Sequence, residues 1–280
     1  MSSSMIKMRD GVSLYCEITQ SNSPNWIVWV HGICEHLGRY PHMDELFSKN
    51  FNILKFDLRG HGKSQGKRAY IENFEQFIED LHDVLAFLKS NYNSPKYALM
   101  GHSMGALIVS GYMQNMVSKQ YYPQVIFINS PPVGVPGFGG AIARSISQGF
   151  TNFLSSLKIG VDLKGLVDLK GLSHNPEIGA NYVKDKLNSL NIHSKLMFNL
   201  LNFSKLVFSR PLGVSCPIFI VVGSKDRVVC PQALISFCRN IDTSIKLKVI
   251  EGAYHELHNE IDEYRIPYFE YMQECISTRF

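Results

Sequence analysis

The chain has few of the features that would crosslink it or carry it into a membrane. Its six cysteines include no CxxC pair, and 280 residues suffice for a large apolar core, so we expect free thiols. No apolar run approaches the roughly 20 residues of a membrane-spanning helix. The N-terminal sequence MSSSMIKMRDGVSLY also lacks the continuous apolar stretch of a signal peptide. These absences predict a cytoplasmic protein.

Charge is also sparse. Charged residues make up 19% and apolar residues 45% of the chain, a balance that is typical of a folded globular protein and excludes a disordered or fibrous one. The formal net charge of +4 comes with no basic run and no RNA- or DNA-binding motif, so nucleic acid is not expected as a partner. A small positive charge still permits peripheral contact with an anionic membrane surface.

The chain does contain a series of short apolar runs, which are typical of buried parallel strands. These runs lie at residues 25–32, 52–60, 96–101, 124–130 and 217–223. Helical patterns alternate with them, most clearly over residues 73–91, where apolar residues recur at i, i+3, i+4 and i+7. The alternation predicts an α/β fold with a doubly wound, mostly parallel sheet. We also expect an antiparallel edge hairpin over residues 5–19, a strand at IKLKVI and a closing helix over residues 257–277.

Residues 131–214 interrupt this alternation. They contain several helix-like segments and no convincing strand, which predicts a helical cap inserted into a core made of residues 1–130 and 215–280. The hexapeptide VDLKGL occurs twice in tandem at residues 161–172. Two copies are too few for a solenoid, so we interpret them as a local duplication in a loop.

The strongest functional motif is Gly101-His102-Ser103-Met104-Gly105. This G-x-S-x-G directly follows the strand KYALM and directly precedes the helical pattern ALIVSGYMQNM, which is the context that a nucleophile elbow requires. Glycines on both sides lack a Cβ atom, so the strand can turn sharply into the helix and leave the serine hydroxyl exposed. The alternative is an ordinary glycine-rich turn. The context favours Ser103 as a catalytic nucleophile.

A serine hydroxyl needs a base, and in this topology the acid and the base follow the nucleophile in the order Ser, Asp, His. Asp226 comes directly after the strand PIFIVVG, and His255 comes just after IKLKVI, so both lie where strand ends converge. We predict that His255 is the base and Asp226 its orienting carboxylate. Asp226 has the alternative role of capping the next helix. We favour His255 because it occupies the loop after the last strand. Four other histidines are alternative bases that could each have a structural role instead: His31, His61, His102 and His258.

The sequence His31-Gly32-Ile33 follows another strand, at the point where this topology presents a second oxyanion donor. We predict that the backbone N–H groups of Ile33 and Met104 form the oxyanion hole. Residues 57–64 close the next strand with two glycines, and we interpret them as a structural loop beneath the site.

Five motifs in order resemble the monoglyceride lipase and lysophospholipase group of the α/β-hydrolases: HGICEHLGRY, DLRGHGKSQG, GHSMG, GSKDRVV and EGAYHELHNE. The resemblance spans nearly the whole chain, with SHNPEIGANY as its only clear match in the cap. It implies an α/β-hydrolase fold and hydrolysis of monoacyl lipids without a metal or an organic cofactor. Cys34 stands where the group usually has glycine, and Ala106 replaces the usual second glycine after GHSMG.

Two features bear on the substrate pocket. Cys34 follows the predicted donor Ile33, so we expect it near the acyl pocket, as a buried small side chain or as an accessible thiol. Apolar residues also recur every three or four positions through residues 134–160, which predicts an amphipathic helix. That helix would either pack on the core or form a mobile lid that meets lipid, with Phe150 facing the acyl chain.

Three alternative functions remain open from the sequence. A carboxylesterase for small soluble esters would need the same catalytic groups and a different cap. A peptidase of the aminopeptidase type would need a carboxylate to bind the substrate amine, and Glu35 is the candidate. A catalytically silent binding protein with this fold is the third. Dehalogenases and epoxide hydrolases need a carboxylate at the elbow, so Ser103 argues against both.

Overall fold

The apolar runs form a central sheet. The computed structural model describes residues 1–93, 95–134, 162–164 and 168–280. Ten strands lie in these ranges: β1 Ser2–Lys7, β2 Ser13–Thr19, β3 Asn25–Val30, β4 Asn52–Phe56, β5 Lys96–His102, β6 Val125–Asn129, β7 Asp162–Lys164, β8 Asn191–His193, β9 Ile218–Gly223 and β10 Lys246–Ile250. All five apolar runs, the edge hairpin and the strand at IKLKVI are confirmed. The second run ends early, at Phe56, where the chain turns into the loop at residues 57–64.

Eight of the strands form one sheet in the order β1-β2-β4-β3-β5-β6-β9-β10. The β1–β2 and β2–β4 pairs are antiparallel, and the other five neighbouring pairs are parallel. The carboxyl ends of β3, β5, β6, β9 and β10 therefore meet at one edge, where ligands of open α/β sheets bind. We call this the catalytic edge.

Helices cover both faces of the sheet, as the doubly wound prediction requires. Their bounds are α1 His42–Phe47, α2 Glu75–Asn91, α3 Met104–Asn115, α4 Pro176–Lys184, α5 Ser194–Val207, α6 Pro231–Asn240 and α7 Asp262–Ser277. Buried side chains of α2, α3, α5 and α6 pack on one face, and those of α1 and α7 pack on the other. The closing helix begins five residues later than predicted because a short 3-10 turn, Leu257–Asn259, precedes it.

Both faces of the central strands are apolar because both are covered. In β3, Trp26 and Val28 belong to one core, whereas Ile27 and Trp29 belong to the other. Each fully buried side chain of this size contributes about 1.5–3 kcal/mol to stability. Strands that are covered on both faces therefore have continuous apolar runs instead of alternating ones, and these runs allowed the strands to be predicted from the sequence.

The described part of the inserted segment contains α4, α5 and a short antiparallel strand pair, β7–β8. The expectation of no strand in this segment was wrong, because strands of three residues are too short to show a periodic pattern. The tandem copies of VDLKGL also differ in structure, since the first contains β7 and the second contains a 3-10 turn, Leu169–Gly171. The amphipathic helix predicted from residues 134–160, with Phe150, lies outside the described residues beyond Gly134.

All six cysteines are free thiols, as expected from their spacing. In the ranges that the structure describes, none of the helices combines the length and the apolar character that crossing a bilayer requires.

Candidate active site

Ser103 lies in the sharp turn between β5 and α3. Its backbone has φ +52° and ψ −116°, a conformation that a non-glycine residue rarely adopts. The turn brings α3 so close to the sheet that a Cβ atom on Gly105 would lie 2.1 Å from the Val30 carbonyl oxygen. A Cβ atom on Gly101 would lie 2.7 Å from the backbone of Gly105. The two glycines of the motif are therefore required by close backbone approach.

Ser103, His255 and Asp226 form a continuous chain of hydrogen bonds. The Nε2 atom of His255 lies 3.1 Å from Ser103 Oγ, and its Nδ1 atom lies 2.7 Å from Asp226 Oδ2. An ionised carboxylate only accepts, so Nδ1 carries the proton and Nε2 is left to accept the serine proton. All three residues are buried, so the hydrogen bonds form in a low-dielectric environment.

The other oxygen of the Asp226 carboxylate is held by the backbone. Its Oδ1 atom accepts from the N–H groups of Val228 at 2.8 Å and Val229 at 2.9 Å. The helix that follows, α6, has Cys230 at its N-cap position, so Asp226 does not cap it. The geometry thus matches an orienting carboxylate rather than the alternative capping role.

Of the five histidines that were candidates for the base, one has a raised pKa and four have a lowered pKa. Burial alone would lower the pKa of His255, but the adjacent Asp226 carboxylate raises it, and the net shift is upward. Burial lowers the pKa of His61 to about 4 and that of the other three far below the ordinary value: His31, His102 and His258. Among the described residues, only His255 has a ring nitrogen within hydrogen-bond distance of Ser103 Oγ.

The two predicted oxyanion donors are on the backbone at the catalytic edge. Met104 is the first residue of α3, and Ile33 lies in the loop that follows β3. Neither N–H group donates to an acceptor within the described ranges of the chain. Both groups could therefore donate to a substrate oxygen, and their role as oxyanion donors stays a prediction.

Glu35 lies in the same loop as Ile33, and its side chain is buried. It is 3% exposed, and its carboxylate accepts from the Gly32 N–H and from the Tyr40 hydroxyl. Burial raises the pKa of Glu35 to about 7, and the nearby Arg39 guanidinium opposes that shift. A carboxylate with these partners is poorly placed to bind a substrate amine.

Arg39 connects Glu35 to the loop that carries His255. Its Nε atom lies 3.5 Å from Glu35 Oε2, and its Nη2 atom lies 2.5 Å from Oε2 of Glu256, the neighbour of His255 in sequence. Sequence reasoning missed both Arg39 and Glu256, because neither residue lies in an apolar pattern. Their only signal was their position inside the HGICEHLGRY and EGAYHELHNE motifs.

Cys34 is completely buried, which agrees with the buried-side-chain interpretation rather than with an accessible thiol. Burial raises the pKa of its thiol to about 12. Its φ of +62° explains why glycine is usual here, since glycine adopts this conformation without steric cost. The Cys34 carbonyl accepts from the Tyr182 hydroxyl at 2.6 Å and from the Ser189 N–H at 2.8 Å, and both donors belong to the inserted segment.

The loop at residues 57–64 has the structural role that was expected. The Asp57 carboxylate accepts from the Leu37 N–H at 2.8 Å and the Lys63 N–H at 2.7 Å. A Cβ atom on Gly62 would lie 2.0 Å from Asp57 Oδ2, which accounts for one of its glycines. Asp57 therefore fixes two loops of the catalytic edge to each other.

In the described part of the chain, no group of three or more metal-ligating side chains is arranged to hold a metal ion.

Comparison with known proteins gives a consistent result. Residues 22–262 match the family model described as serine aminopeptidase, S33. The chain is 26% identical over 243 residues to a monoacylglycerol lipase from Mycolicibacterium smegmatis, covering 85% of this chain and 83% of that protein. It is 29% identical over 264 residues to a mouse monoglyceride lipase, covering 91% and 83% respectively.

The fold is also that of solved lipases. The crystal structure of a monoacylglycerol lipase from Paleococcus ferrophilus superposes with a TM-score of 0.82 at 24% identity. The match covers 95% of this chain and 99% of that one. At this identity the likeness establishes the α/β-hydrolase fold.

Proposed function

Since the chain belongs to the serine aminopeptidase S33 family, we propose that it is a serine ester hydrolase that acts on monoacyl lipids through an acyl-enzyme on Ser103. The single observation that carries the proposal is the hydrogen-bonded chain from Ser103 through His255 to Asp226. Such a chain supplies an activated nucleophile, its base and the group that orients the base.

The reaction then has two halves. Ser103 Oγ attacks the ester carbonyl while His255 Nε2 takes the hydroxyl proton, and the N–H groups of Ile33 and Met104 stabilise the tetrahedral oxyanion. His255 returns the proton to the leaving alcohol, which leaves the acyl group on Ser103. In the second half, water attacks the acyl carbonyl while His255 Nε2 takes a proton from the water. His255 then returns that proton to Ser103 Oγ as the acyl–oxygen bond breaks, which releases the fatty acid and restores the serine. Asp226 keeps the imidazole in the required tautomer throughout.

Monoacyl lipids are favoured over the alternatives by two observations. Curated relatives that match most of the chain bear the names monoacylglycerol lipase and monoglyceride lipase. The family description names an aminopeptidase, but Glu35, the candidate for amine binding, already accepts from Gly32 and Tyr40. A carboxylesterase for small esters has the same catalytic groups, so acyl chain length discriminates between the two.

The test is a panel of monoacylglycerols, lysophospholipids, p-nitrophenyl esters from C4 to C16 and aminoacyl amides. Each buried CH₂ of the acyl chain contributes about 0.8 kcal/mol, so kcat/KM should rise with chain length until the pocket is full. Ser103→Ala is the control and should remove turnover of every ester. A preference for the shortest esters would favour the carboxylesterase, and turnover of the amides alone would favour the peptidase.

We further propose that residues 131–214 act as a cap over the core and that this side of the molecule contacts membranes. Three exposed cations lie at the catalytic edge on the loop after β4, namely Lys63, Lys67 and Arg68. None of them is within ion-pair distance of a carboxylate in the described ranges. Cations near an anionic bilayer contribute about 1 kcal/mol each, so these charges support peripheral binding.

Liposome flotation tests the membrane contact. The triple variant Lys63→Gln, Lys67→Gln, Arg68→Gln should bind vesicles that contain phosphatidylglycerol roughly 100-fold more weakly than the wild type at low salt. The matched control removes three exposed lysines at the opposite edge, where strands begin: Lys49, Lys96 and Lys119. Equal losses in both variants would mean that only net charge matters. Phe150→Asp tests whether the predicted lid contributes as well.

A further inference from the structure

Ser130 directly follows β6 and has two unusual properties. It is completely buried, and its φ is +47°, in the left-handed region that favours glycine. A non-glycine residue in this conformation persists only when its surroundings hold it there. Its backbone N–H donates to the Val221 carbonyl of the neighbouring strand β9 at 2.8 Å.

The Ser130 side chain contacts the backbone of the catalytic base. Its Oγ atom lies 3.1 Å from the His255 carbonyl oxygen and 3.0 Å from Oδ1 of Asn129. Both of these atoms only accept, so the single hydroxyl proton of Ser130 is donated to one or shared between the two. The preceding residue completes the link, because the Asn129 carbonyl accepts from the Ser103 N–H at 2.9 Å.

We infer that Ser130 is a positioning residue for His255. Asn129 and Ser130 together contact the backbone of both the nucleophile and the base, and so help to fix the separation between Ser103 Oγ and His255 Nε2. The hydroxyl holds the carbonyl of the residue whose imidazole must accept the proton. The inference rests on the proposed function, since it assigns Ser130 to the same catalytic chain. Neither the motifs nor the apolar pattern of the sequence indicates this role for Ser130.

Two variants separate the hydroxyl from the backbone strain. Ser130→Ala removes the donor and keeps the unfavourable φ, whereas Ser130→Gly removes the donor and relieves it. We expect both to lower kcat for a p-nitrophenyl ester by roughly 3- to 10-fold, the value of one net hydrogen bond, with KM within about twofold of wild type. Ser130→Gly should nevertheless have a higher Tm than Ser130→Ala.

The matched control is Ser110→Ala in α3. Ser110 is also buried, and its Oγ atom donates to a backbone carbonyl, that of Ala106, at 2.8 Å. Ser110 Oγ makes no hydrogen bond to the triad among the described residues, so loss of this hydroxyl should change Tm and leave kcat per folded molecule unchanged. A loss of kcat in this control equal to that in the Ser130 variants would overturn the inference.

Labelling by a fluorophosphonate separates failure of this inference from failure of the proposed function. The probe reacts with an activated serine and needs no lipid pocket. We expect labelling of Ser103 in the wild type and a slower rate in both Ser130 variants. Wild-type kcat and labelling rate in Ser130→Gly would overturn the positioning role while leaving the function intact. Absence of labelling in the wild type would overturn the proposed function itself.

Discussion

The middle of each central strand and its end at the catalytic edge obey different rules. Along β3, residues such as Val28 and Trp29 are apolar, buried and in ordinary extended conformation. Where β3, β5 and β6 end, three non-glycine residues have left-handed φ values, namely Cys34, Ser103 and Ser130. Buried carboxylates lie at the same edge, including Asp226 and Glu256. Interior residues therefore have favourable backbone conformations and apolar surroundings. Residues at the catalytic edge include unfavourable backbone conformations and buried charges, which the surrounding structure must hold in place.

This contrast has a physical basis. A strained or charged group remains in place only when the surrounding structure determines its position, and two apolar layers around a parallel sheet provide that rigidity. Mutations in the interior should therefore change stability with little effect on chemistry, and mutations at the edge should do the reverse. The four predictions below test this division, from the largest expected effect to the smallest.

Removing the base at the edge should have the largest effect. We expect His255→Ala to lower kcat by roughly 10⁴- to 10⁶-fold, because the nucleophile, base and orienter act as a unit. Its Tm should stay near that of the wild type, as should that of Ser103→Ala. Steady-state kinetics on a p-nitrophenyl ester and thermal unfolding measure the two quantities. A large drop in Tm without loss of turnover would contradict the division.

Removing the orienter should cost on the order of 10⁴-fold in kcat for Asp226→Asn, because His255 then adopts the wrong tautomer. The pH profile should change as well. The Asp226 carboxylate raises the pKa of His255, so wild-type kcat/KM should fall as pH decreases through a pKa above about 6.5.

The acid limb of the Asp226→Asn profile should move to lower pH, since burial of His255 remains and the neighbouring charge is gone. Residual activity measured between pH 5 and about 9 checks the direction. An acid limb at the same pH in both enzymes would mean that another group controls it.

An interior substitution should give the opposite pattern. Leu54 in β4 is completely buried, and Leu54→Ala should lower the free energy of unfolding by about 2–5 kcal/mol. We expect kcat per folded molecule to remain within about twofold of wild type well below the Tm. Urea unfolding and kinetics on the same preparation give both values. A loss of kcat comparable to that of the edge variants would mean that the interior also sets the catalytic geometry.

The smallest predicted effect concerns the difference in free energy of unfolding between glycine and alanine at one position, which should have opposite signs in the two regions. At Cys34, where φ is +62°, the glycine variant should be more stable than the alanine variant by about 1 kcal/mol. At Ala98 in the interior of β5, Ala98→Gly should instead be less stable than wild type by about 0.5–1 kcal/mol. Denaturant unfolding of the four proteins measures both differences. The same sign at both positions would show that backbone conformation does not distinguish the edge.

The division also explains what the sequence could predict. Strands covered on both faces appear as continuous apolar runs, and α2 appears as a helical period, because burial is encoded residue by residue. The sharp turn at Ser103 was predictable because the two glycines that permit it, Gly101 and Gly105, each lie two residues from Ser103 in the sequence. The proximity of Asp226 and His255 to Ser103 was predictable because each follows a strand, and the parallel topology brings the ends of these strands together.

The interactions that were not predictable depend on residues distant in sequence. Arg39 and Glu256 are far apart in sequence and form an ion pair in the fold. The Ser130 hydroxyl and the His255 carbonyl are likewise 125 residues apart and lie within hydrogen-bond distance. Single-residue conformations such as the left-handed φ of Cys34 also leave no periodic signal. The later start of α7, at Asp262 rather than at residue 257, also involves residues distant in sequence. The Glu260 carboxylate accepts from the N–H groups of Tyr254 and His174 and so holds the loop that precedes the helix.

The contact between the Cys34 carbonyl and the inserted segment has a consequence for protein engineering. Tyr182 and Ser189 both donate to that carbonyl, one residue beyond the predicted oxyanion donor. A chimera that exchanges residues 131–214 for the corresponding segment of a relative would replace both donors. It would leave a carbonyl at the catalytic edge without its two partners unless the incoming segment supplied equivalents. Retaining these two positions is therefore a design rule for transplanting substrate preference onto this scaffold.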